Sequence, residues 1–128
     1  MTLDSSALIA ILVSEAGSLD LVDQILEADV VRVGTPTLVE TTIVLSSRRG
    51  KPSTKEVRHL IEELGVHVVA FGDAEWQAAA DAYDRFGRGK HPAGLNFGDC
   101  LAYAAAATAG DSLLFVGNDL AKTDIRRA

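Results

Sequence analysis

Three things are scarce in this sequence: cysteine, long apolar runs and positive charge. Cys100 is the only cysteine among 128 residues, so neither an internal disulfide nor a cysteine-rich zinc site can form. A chain of this length buries about two thirds of its unfolded surface and needs no such staple. Residues that favour helices surround Cys100, and we expect a buried, unreactive thiol.

No apolar run approaches the roughly 20 residues that cross a bilayer. The N-terminus, MTLDSSALIAILVSE, contains an apolar stretch, but Asp4 stands where a secretion signal needs Lys or Arg. We therefore expect a cytoplasmic protein without a membrane-spanning segment. Repeats, low-complexity tracts and linker-like stretches are also missing, so we expect residues 1–128 to form a single domain.

The chain has few positive charges: it contains 12 Lys and Arg and 18 Asp and Glu, which gives a net charge of −6. Nucleic-acid-binding proteins are usually basic, since contacts to phosphates supply much of their affinity. The basic residues nevertheless form two clusters: Arg48, Arg49 and Lys51, and Arg85, Arg88, Lys90 and His91. Solvated helix ends are the ordinary explanation of such clusters. The second cluster enters a glycine-rich loop, 87–98, that leads to Asp99. Arg88, Lys90 and His91 are therefore candidates for substrate binding.

Strands alternate with helices along the chain. Apolar and β-branched runs predict strands at residues 1–4, 30–33, 66–71 and 113–116. Periodic apolar positions predict helices over roughly 6–13, 18–28, 36–49, 53–64 and 99–109, with another that begins at Asp73. This order predicts an α/β fold with a short, mostly parallel sheet between helices, in which ligands gather beyond the carboxyl ends of the strands.

Local signals also predict how the helices begin. Thr35 is the expected N-cap of the third helix, with Pro36 at its first position. Ser53 and Glu56 have the spacing of a capping box for the fourth. Asp73 and Asp99 are expected to cap later helices.

Four carboxylates lie at the predicted sheet edge: Asp4, Glu40, Asp99 and Asp119. Helix capping explains Asp4 and Asp99 equally well when each is taken alone, because carboxylates accept bonds from free N–H groups. Glu40 is different, since its neighbours are uncharged and no Lys or Arg lies one turn away. A shared cation would satisfy all four carboxylates. Oxygen ligands alone indicate a hard ion, Mg²⁺ or Mn²⁺.

Four segments carry a family resemblance that spans essentially the whole chain. Residues 3–12, LDSSALIAIL, resemble the first motif of PIN domains of the VapC toxin type. Residues 36–40, PTLVE, resemble the second acidic motif, and residues 91–104, HPAGLNFGDCLAYA, the third and most specific one. Residues 113–119, LLFVGND, are similar to the fourth. Order and spacing are kept throughout.

The resemblance implies a three-layer α/β/α fold and an endoribonuclease that depends on Mg²⁺ or Mn²⁺. It also implies a homodimer and neutralisation by a small VapB-like antitoxin. The chain departs from the pattern at Gly117, where many members have an acid, so the site has one carboxylate fewer. Few residues remain after Asp119, so a final edge strand must be very short or missing.

For cleavage of RNA phosphodiesters, Asp4 and Asp99 are the first choices as direct metal ligands. Glu40 and Asp119 either bind the metal directly, hold a metal-bound water or orient the attacking water. Ser6 and Asn118 are candidates for hydrogen bonds to these ligands. We expect the helices over 6–28 and 53–64 to provide the interfaces with a second copy or an antitoxin.

Three other classes share parts of this pattern. A phosphotransfer receiver domain needs paired acids near the end of its first strand, where this chain has only Asp4. A haloacid-dehalogenase-like phosphatase needs a second Asp at the position of Ser6. A catalytically inactive PIN-like interaction module remains the alternative, although such a module has little reason to keep four acids.

Overall fold

The computed structural model describes all 128 residues and contains one four-stranded sheet between helices. Its strands are β1 (Thr2–Leu3), β2 (Arg32–Gly34), β3 (His67–Val69) and β4 (Leu113–Leu114). Its helices are α1 (Ser5–Leu12), α2 (Ser18–Glu27), α3 (Thr35–Arg49), α4 (Thr54–Glu63), α5 (Asp73–Phe86) and α6 (Phe97–Ala109), followed by a 3₁₀ turn at Leu120–Lys122. The strand order is β3-β2-β1-β4, and every pair is parallel.

The sheet separates two apolar layers, which confirms the three-layer α/β/α prediction. Neighbouring residues of β4 show the division, because successive side chains of a strand point to opposite faces. Leu113 packs with the buried residues of α5 and α6, whereas Leu114 packs with those of α1, α2 and α4. A smaller cluster, which includes Leu45, joins α3 to α1 and α4.

All four strands are shorter than their apolar runs predict. The predicted strand at 66–71 reduces to His67–Val69, and the one at 113–116 reduces to Leu113–Leu114. β1 has only two residues and pairs with β2 through a single register position. The inner part of the sheet is therefore short along the strand direction. The last residues add one parallel bridge, Leu113 to Arg127, which confirms that a final edge strand is minimal.

The predicted N-caps of α3 and α5 are each wrong by one residue. Gly34, not Thr35, is the N-cap of α3, although Pro36 does stand in its first turn. Asp73 lies inside α5 and receives bonds from Trp76 Nε1 and Gln77 Nε2, while Gly72 is the N-cap. None of the six helices combines the length and apolarity that a membrane crossing requires.

The predicted capping box of α4 does not form. The Ser53 side chain makes no cap bond and instead donates to the Lys51 carbonyl. Glu56 is drawn away by Arg49, whose Nη2 lies 2.9 Å from Glu56 Oε1. An ion pair to the end of the preceding helix therefore replaces the local cap.

Tyr103 attaches the segment after β4 to the helices. Its buried ring packs in the core, and its hydroxyl donates a 2.6 Å bond to Asp124 Oδ1. Arg85 of α5 pairs with the other Asp124 oxygen. Burial, together with the bond to Asp124, raises the pKa of Tyr103 to about 12. This contact holds the segment that includes Asp119 against α5 and α6.

We predict that Tyr103→Phe destabilises the protein by about 1–2 kcal/mol, because the hydrogen bond from the hydroxyl of the buried Tyr103 to charged Asp124 is lost. This corresponds to a melting temperature lower by roughly 3–8 °C. Thermal unfolding measures it. Tyr83→Phe is the matched control, since Tyr83 is exposed. Equal melting temperatures for the two variants would contradict the attachment role of Tyr103.

Candidate active site at the carboxyl edge of the sheet

The parallel sheet brings the four predicted carboxylates to one edge. Asp4 follows β1, Glu40 lies in α3 just after β2, and Asp119 follows β4. β1 lies between β2 and β4, so these segments are neighbours. Electrostatic coupling shows how near the groups are, because the charges of Asp4 and Asp99 both act on Glu40. Those of Asp4 and Asp119 both act on Asp99.

Asp4 is the most buried of the four, with 3% of the residue exposed. Its Oδ2 is the N-cap of α1 and accepts bonds from the backbone N–H and the hydroxyl of Ser6. Its Oδ1 is buried without any hydrogen-bond partner. Burial raises the pKa of Asp4, although the bonds from Ser6 oppose this. Capping therefore explains one oxygen of Asp4 but leaves the other unsatisfied, and unsatisfied buried oxygens are rare and costly.

Glu40 also has a buried oxygen without a partner, Oε2. Burial and then the charge of Asp4 raise its pKa, the Ser5 hydroxyl lowers it, and Asp99 raises it further. The carboxylate lies against the first turn of α6, at Gly98. A Cβ at Gly98 would come within 2.6 Å of the Glu40 carboxyl carbon. The absence of a side chain there lets Glu40 face the positive end of the α6 dipole.

The sequence predicted Asp99 as the N-cap of α6. Asp99 instead lies within the first turn of that helix. Asn96 is the cap, and the two residues form a capping box with reciprocal bonds of 2.9 Å. Burial raises the pKa of Asp99, the bond from the Asn96 N–H lowers it, and the charges of Asp4 and Asp119 raise it again. Asp119 is exposed, and its Oδ1 lies 3.7 Å from Lys122 Nζ.

The two residues predicted to support the ligands differ in their surroundings. Ser6 accepts a 2.9 Å bond from the Val116 N–H while its hydroxyl donates to Asp4, so it joins the start of α1 to the segment after β4. Asn118 is exposed, and its side chain makes no hydrogen bond in the structure. Its proposed support of the ligands stays a prediction.

Sequence reasoning missed Gly98, Ser5 and Asn96 as parts of the site. Gly98 carried a usable signal, because glycine is unfavourable within helices and this one directly precedes Asp99. Asn96 followed three residues later by Asp99 also has capping-box spacing. Ser5 offered no signal apart from its position next to Asp4.

Of the three candidates for substrate binding, Lys90 and His91 are held by neighbouring residues, whereas the Arg88 side chain is not. Lys90 Nζ is 2.7 Å from Asp84 and stands over the ring of Tyr83. His91 packs edge-on against Phe86 and accepts a bond from the Ala93 N–H. Arg88 is exposed, makes no ion pair, and its charge opposes the burial-driven rise in the pKa of Asp99.

Backbone bonds close the loop that carries Arg88. Gly87 and Leu95 form an isolated parallel bridge, with bonds from Leu95 N to Phe86 O and from Arg88 N to Leu95 O. Both ends of the loop are thereby held together next to the N-terminus of α6. Arg88 is the first residue beyond the bridge, so its backbone position is fixed near the acidic site.

A divalent cation fits two of the carboxylates best. The unpartnered oxygens of Asp4 and Glu40 are hard, charged and buried, which is the donor chemistry that Mg²⁺ and Mn²⁺ select. The four carboxylates do not converge on one point, because no three acidic, His or Cys side chains are close enough together to bind a single ion. Oδ2 of Asp4 and Oδ2 of Asp99 are instead engaged with helix starts.

An apolar groove opens beside Glu40 between α3 and the α5–α6 pair. Its volume is about 900 Å³, and Glu40 is the only charged residue that lines it. Val39, Ile43, Trp76 and Phe97 form most of its exposed walls, and Phe97 is 81% exposed. Exposed apolar area of this extent is typical of a surface that binds a partner.

Comparison with known proteins identifies the family. The PIN domain family matches residues 1–126, and the chain therefore belongs to the PIN domain family. Its relatives place it in the VapC-type group. Ribonuclease VapC28 of Mycobacterium tuberculosis is 42% identical over all of this chain and 97% of its own length. Ribonuclease VapC of Mycolicibacterium smegmatis is 40% identical over 98% of this chain and 97% of its own length.

A solved structure has the same fold. The crystal structure of Mycobacterium tuberculosis VapC20, described as a sarcin-ricin loop cleaving toxin, matches with a TM-score of 0.79. The match covers 99% of this chain and 97% of the other, at 16% sequence identity. At that identity the likeness shows a shared fold.

The raised carboxyl pKa values predict how the metal-free protein responds to pH. A carboxyl whose folded pKa is raised binds its proton more tightly when folded, so the free energy of unfolding falls as pH rises above about 4 and through the raised value. Asp4→Asn keeps a cap acceptor but removes one charge. In EDTA, we expect this variant to melt a few degrees above the parent at pH 7 and level with it at pH 4.

Thermal unfolding across this pH range tests the prediction. Asp29→Asn is the control, because Asp29 is an exposed loop acid and the substitution changes the net charge equally. An equal rise in melting temperature in both variants would show that the effect comes from net charge alone. A lower melting temperature of Asp4→Asn at pH 7 would show that Asp4 stabilises the metal-free fold.

Proposed function

We propose that this chain is a Mg²⁺- or Mn²⁺-dependent endoribonuclease and the toxin of a type II toxin–antitoxin pair. It hydrolyses RNA phosphodiester bonds in the cytoplasm and inhibits translation and growth until an antitoxin binds it. Residues 1–128 act as a single domain. The names of the VapC relatives support the activity. The observation that carries the proposal is the pair of buried, unpartnered oxygens on Asp4 and Glu40.

Asp4, Glu40, Asp99 and Asp119 are the residues that would hold the cation. When bound, a divalent cation makes hydroxide available from coordinated water near neutral pH and stabilises charge on the phosphoryl oxygens. Ser6 fixes the orientation of Asp4, and Gly98 allows Glu40 to approach the α6 N-terminus. The capping box holds the Asp99 side chain against the start of the same helix. These contacts give three ligands fixed positions before RNA binds.

RNA must approach an edge that carries negative charge, so cationic side chains next to the carboxylates are needed. Arg88 meets this requirement, because it is exposed and close enough to influence Asp99. Its guanidinium can bind a phosphate of the strand. Lys90 and His91 contribute less to substrate binding than Arg88 does. Lys90 is paired with Asp84, and His91 is packed against Phe86.

The alternative is an inactive interaction module on the same fold. Such a module has no use for a buried carboxylate oxygen without a partner, because burial without a hydrogen bond costs free energy. The apolar groove beside Glu40 is the feature that favours it, since the groove is suited to binding a protein. Metal-dependent RNA cleavage separates the two functions.

We predict that the purified protein cleaves RNA with Mg²⁺ or Mn²⁺ and that Asp99→Asn lowers the rate on the order of 100-fold or more, because a ligand is lost. Mn²⁺ should also raise the melting temperature of the parent and not of this variant. Gel analysis of labelled RNA and thermal unfolding are the measurements. Asp84→Asn is the control, since Asp84 pairs only with Lys90.

Either of two results would contradict the proposal. One is cleavage that survives in Asp99→Asn at the rate of the Asp84→Asn control. The other is a melting temperature that millimolar Mn²⁺ does not change in metal-stripped parent protein. The second result would favour the inactive module.

The proposed partners, a second copy and a VapB-like antitoxin, are matched by two different apolar surfaces. The groove beside Glu40 has almost no charge, so the same surface on two copies can meet without repulsion, as a two-fold interface requires. The outer face of α2 exposes Leu19 and Leu26 among acids such as Asp23. That surface repels a second acidic chain and suits a basic, amphipathic antitoxin segment.

We therefore assign the groove to the homodimer, and the sequence-based interface over 6–28 to the antitoxin. Ile43→Asp should convert a dimer to a monomer, because a charge would be buried without a partner. Leu19→Asp, the matched control on α2, should leave the dimer intact. Sedimentation velocity distinguishes these states. A parent protein that is monomeric at all concentrations, or a dimer disrupted only by Leu19→Asp, would refute the assignment.

A further inference from the structure

A small groove on the other side of α3 leads away from the candidate active site. It lies between α1, α3 and the segment after β4, with a volume of about 160 Å³. Ser5 and Ser6 form the end nearest the carboxylates. Ser6 is bonded to Asp4, and Ser5 acts on Glu40, so this groove is continuous with the acidic site. Its far end is formed by Arg48 and Glu15.

Helix spacing explains why Arg48 faces this groove. Glu40, Val44 and Arg48 are four residues apart in α3 and therefore share one face. Eight residues separate Glu40 from Arg48, which places their backbones about 12 Å apart along the helix axis. Arg48 therefore lies about two turns beyond Glu40 and lines the far end of the groove.

Arg48 differs from its neighbour Arg49. Arg49 Nη2 donates to the Leu12 carbonyl and to Glu56, so it holds α3 against α1 and α4. Arg48 makes one contact, a 3.1 Å ion pair with Glu15, in which both side chains are about half exposed. Exposed pairs of this kind contribute little to stability. The guanidinium is therefore available to a stronger anion.

We propose that Arg48 binds a backbone phosphate of the RNA strand next to the one that is cleaved, and that Glu15 competes with the RNA for it. This inference rests on the proposed ribonuclease function. The pair with Glu15 has a single hydrogen bond, whereas a guanidinium can bind a phosphate through two parallel ones. Arg88 and Arg48 then neutralise the strand on two different sides of an acidic site. Glu15 weakens binding of RNA in general, because it must be displaced.

A double-mutant cycle tests the pair. Binding of a fluorescein-labelled single-stranded RNA of mixed sequence is measured by anisotropy, with Ca²⁺ in place of Mg²⁺ or Mn²⁺ and with the RNA confirmed intact. Arg48→Ala should weaken binding roughly threefold to tenfold and lower the salt slope by about 0.7, the value for one phosphate contact. Glu15→Gln should tighten binding roughly twofold to fivefold in the parent and have no effect in Arg48→Ala.

Matched controls lie on α4. Arg58→Ala and Glu62→Gln make the same charge changes at exposed positions away from this groove. Melting temperatures should stay close to that of the parent for all variants, because only exposed side chains change.

Two outcomes would overturn the inference and leave the ribonuclease function intact. In the first, the parent binds RNA but Arg48→Ala binds no more weakly than Arg58→Ala. In the second, Glu15→Gln tightens binding equally in the parent and in Arg48→Ala, which is an effect of net charge alone. A parent protein that neither binds nor cleaves RNA would overturn both proposals together.

Discussion

The candidate site is organised around one buried carboxylate, Asp4, at the end of an inner strand of the sheet. Asp4 leaves β1 with one oxygen committed to the start of α1 and the other without a partner. Because β1 runs between β2 and β4, the segments directly after those two strands lie on either side of Asp4. Ser6 strengthens this arrangement by binding both Asp4 and the backbone at Val116. The position of the site therefore follows from strand order.

The same arrangement has a cost to the fold. Burial raises the pKa values of Asp4, Glu40 and Asp99, and repulsion from neighbouring carboxylates raises those of Glu40 and Asp99 further. The charged form of each therefore costs the metal-free protein stability at neutral pH. Helix N-termini offset part of this cost, since two of the three carboxylates accept bonds at the start of a helix. Glu40 has no such bond and relies on the α6 dipole across Gly98. Conflicts of this kind between stability and local chemistry are characteristic of functional sites.

Much of the fold could be predicted from the sequence. The apolar period of each helix is a local signal, and so is the alternation of helices and strands along the chain. The rule about strand ends predicted Asp4 and Asp119, whereas Glu40 and Asp99 were added from their positions near the starts of two helices. The lengths of the strands could not be predicted, since they depend on pairing between distant segments, and β1 offers only two residues. The capping box at Ser53 failed for the same reason, as Arg49 competes for Glu56 from another helix. Arg88 and Lys90 were indistinguishable in the sequence and differ through the contacts of Lys90 with Asp84 and with the ring of Tyr83.

The bridge between Gly87 and Leu95 separates the loop that carries Arg88 from the helices on either side. Since the two ends of the loop are joined to each other, α5 and α6 pack together whatever the path of the residues between them. The exposed side chains of Arg88 and Lys90 can therefore change without moving Asp99, whereas Ala93 is buried in the core beside them. Selection for a different RNA can act at those two exposed positions without rebuilding the protein.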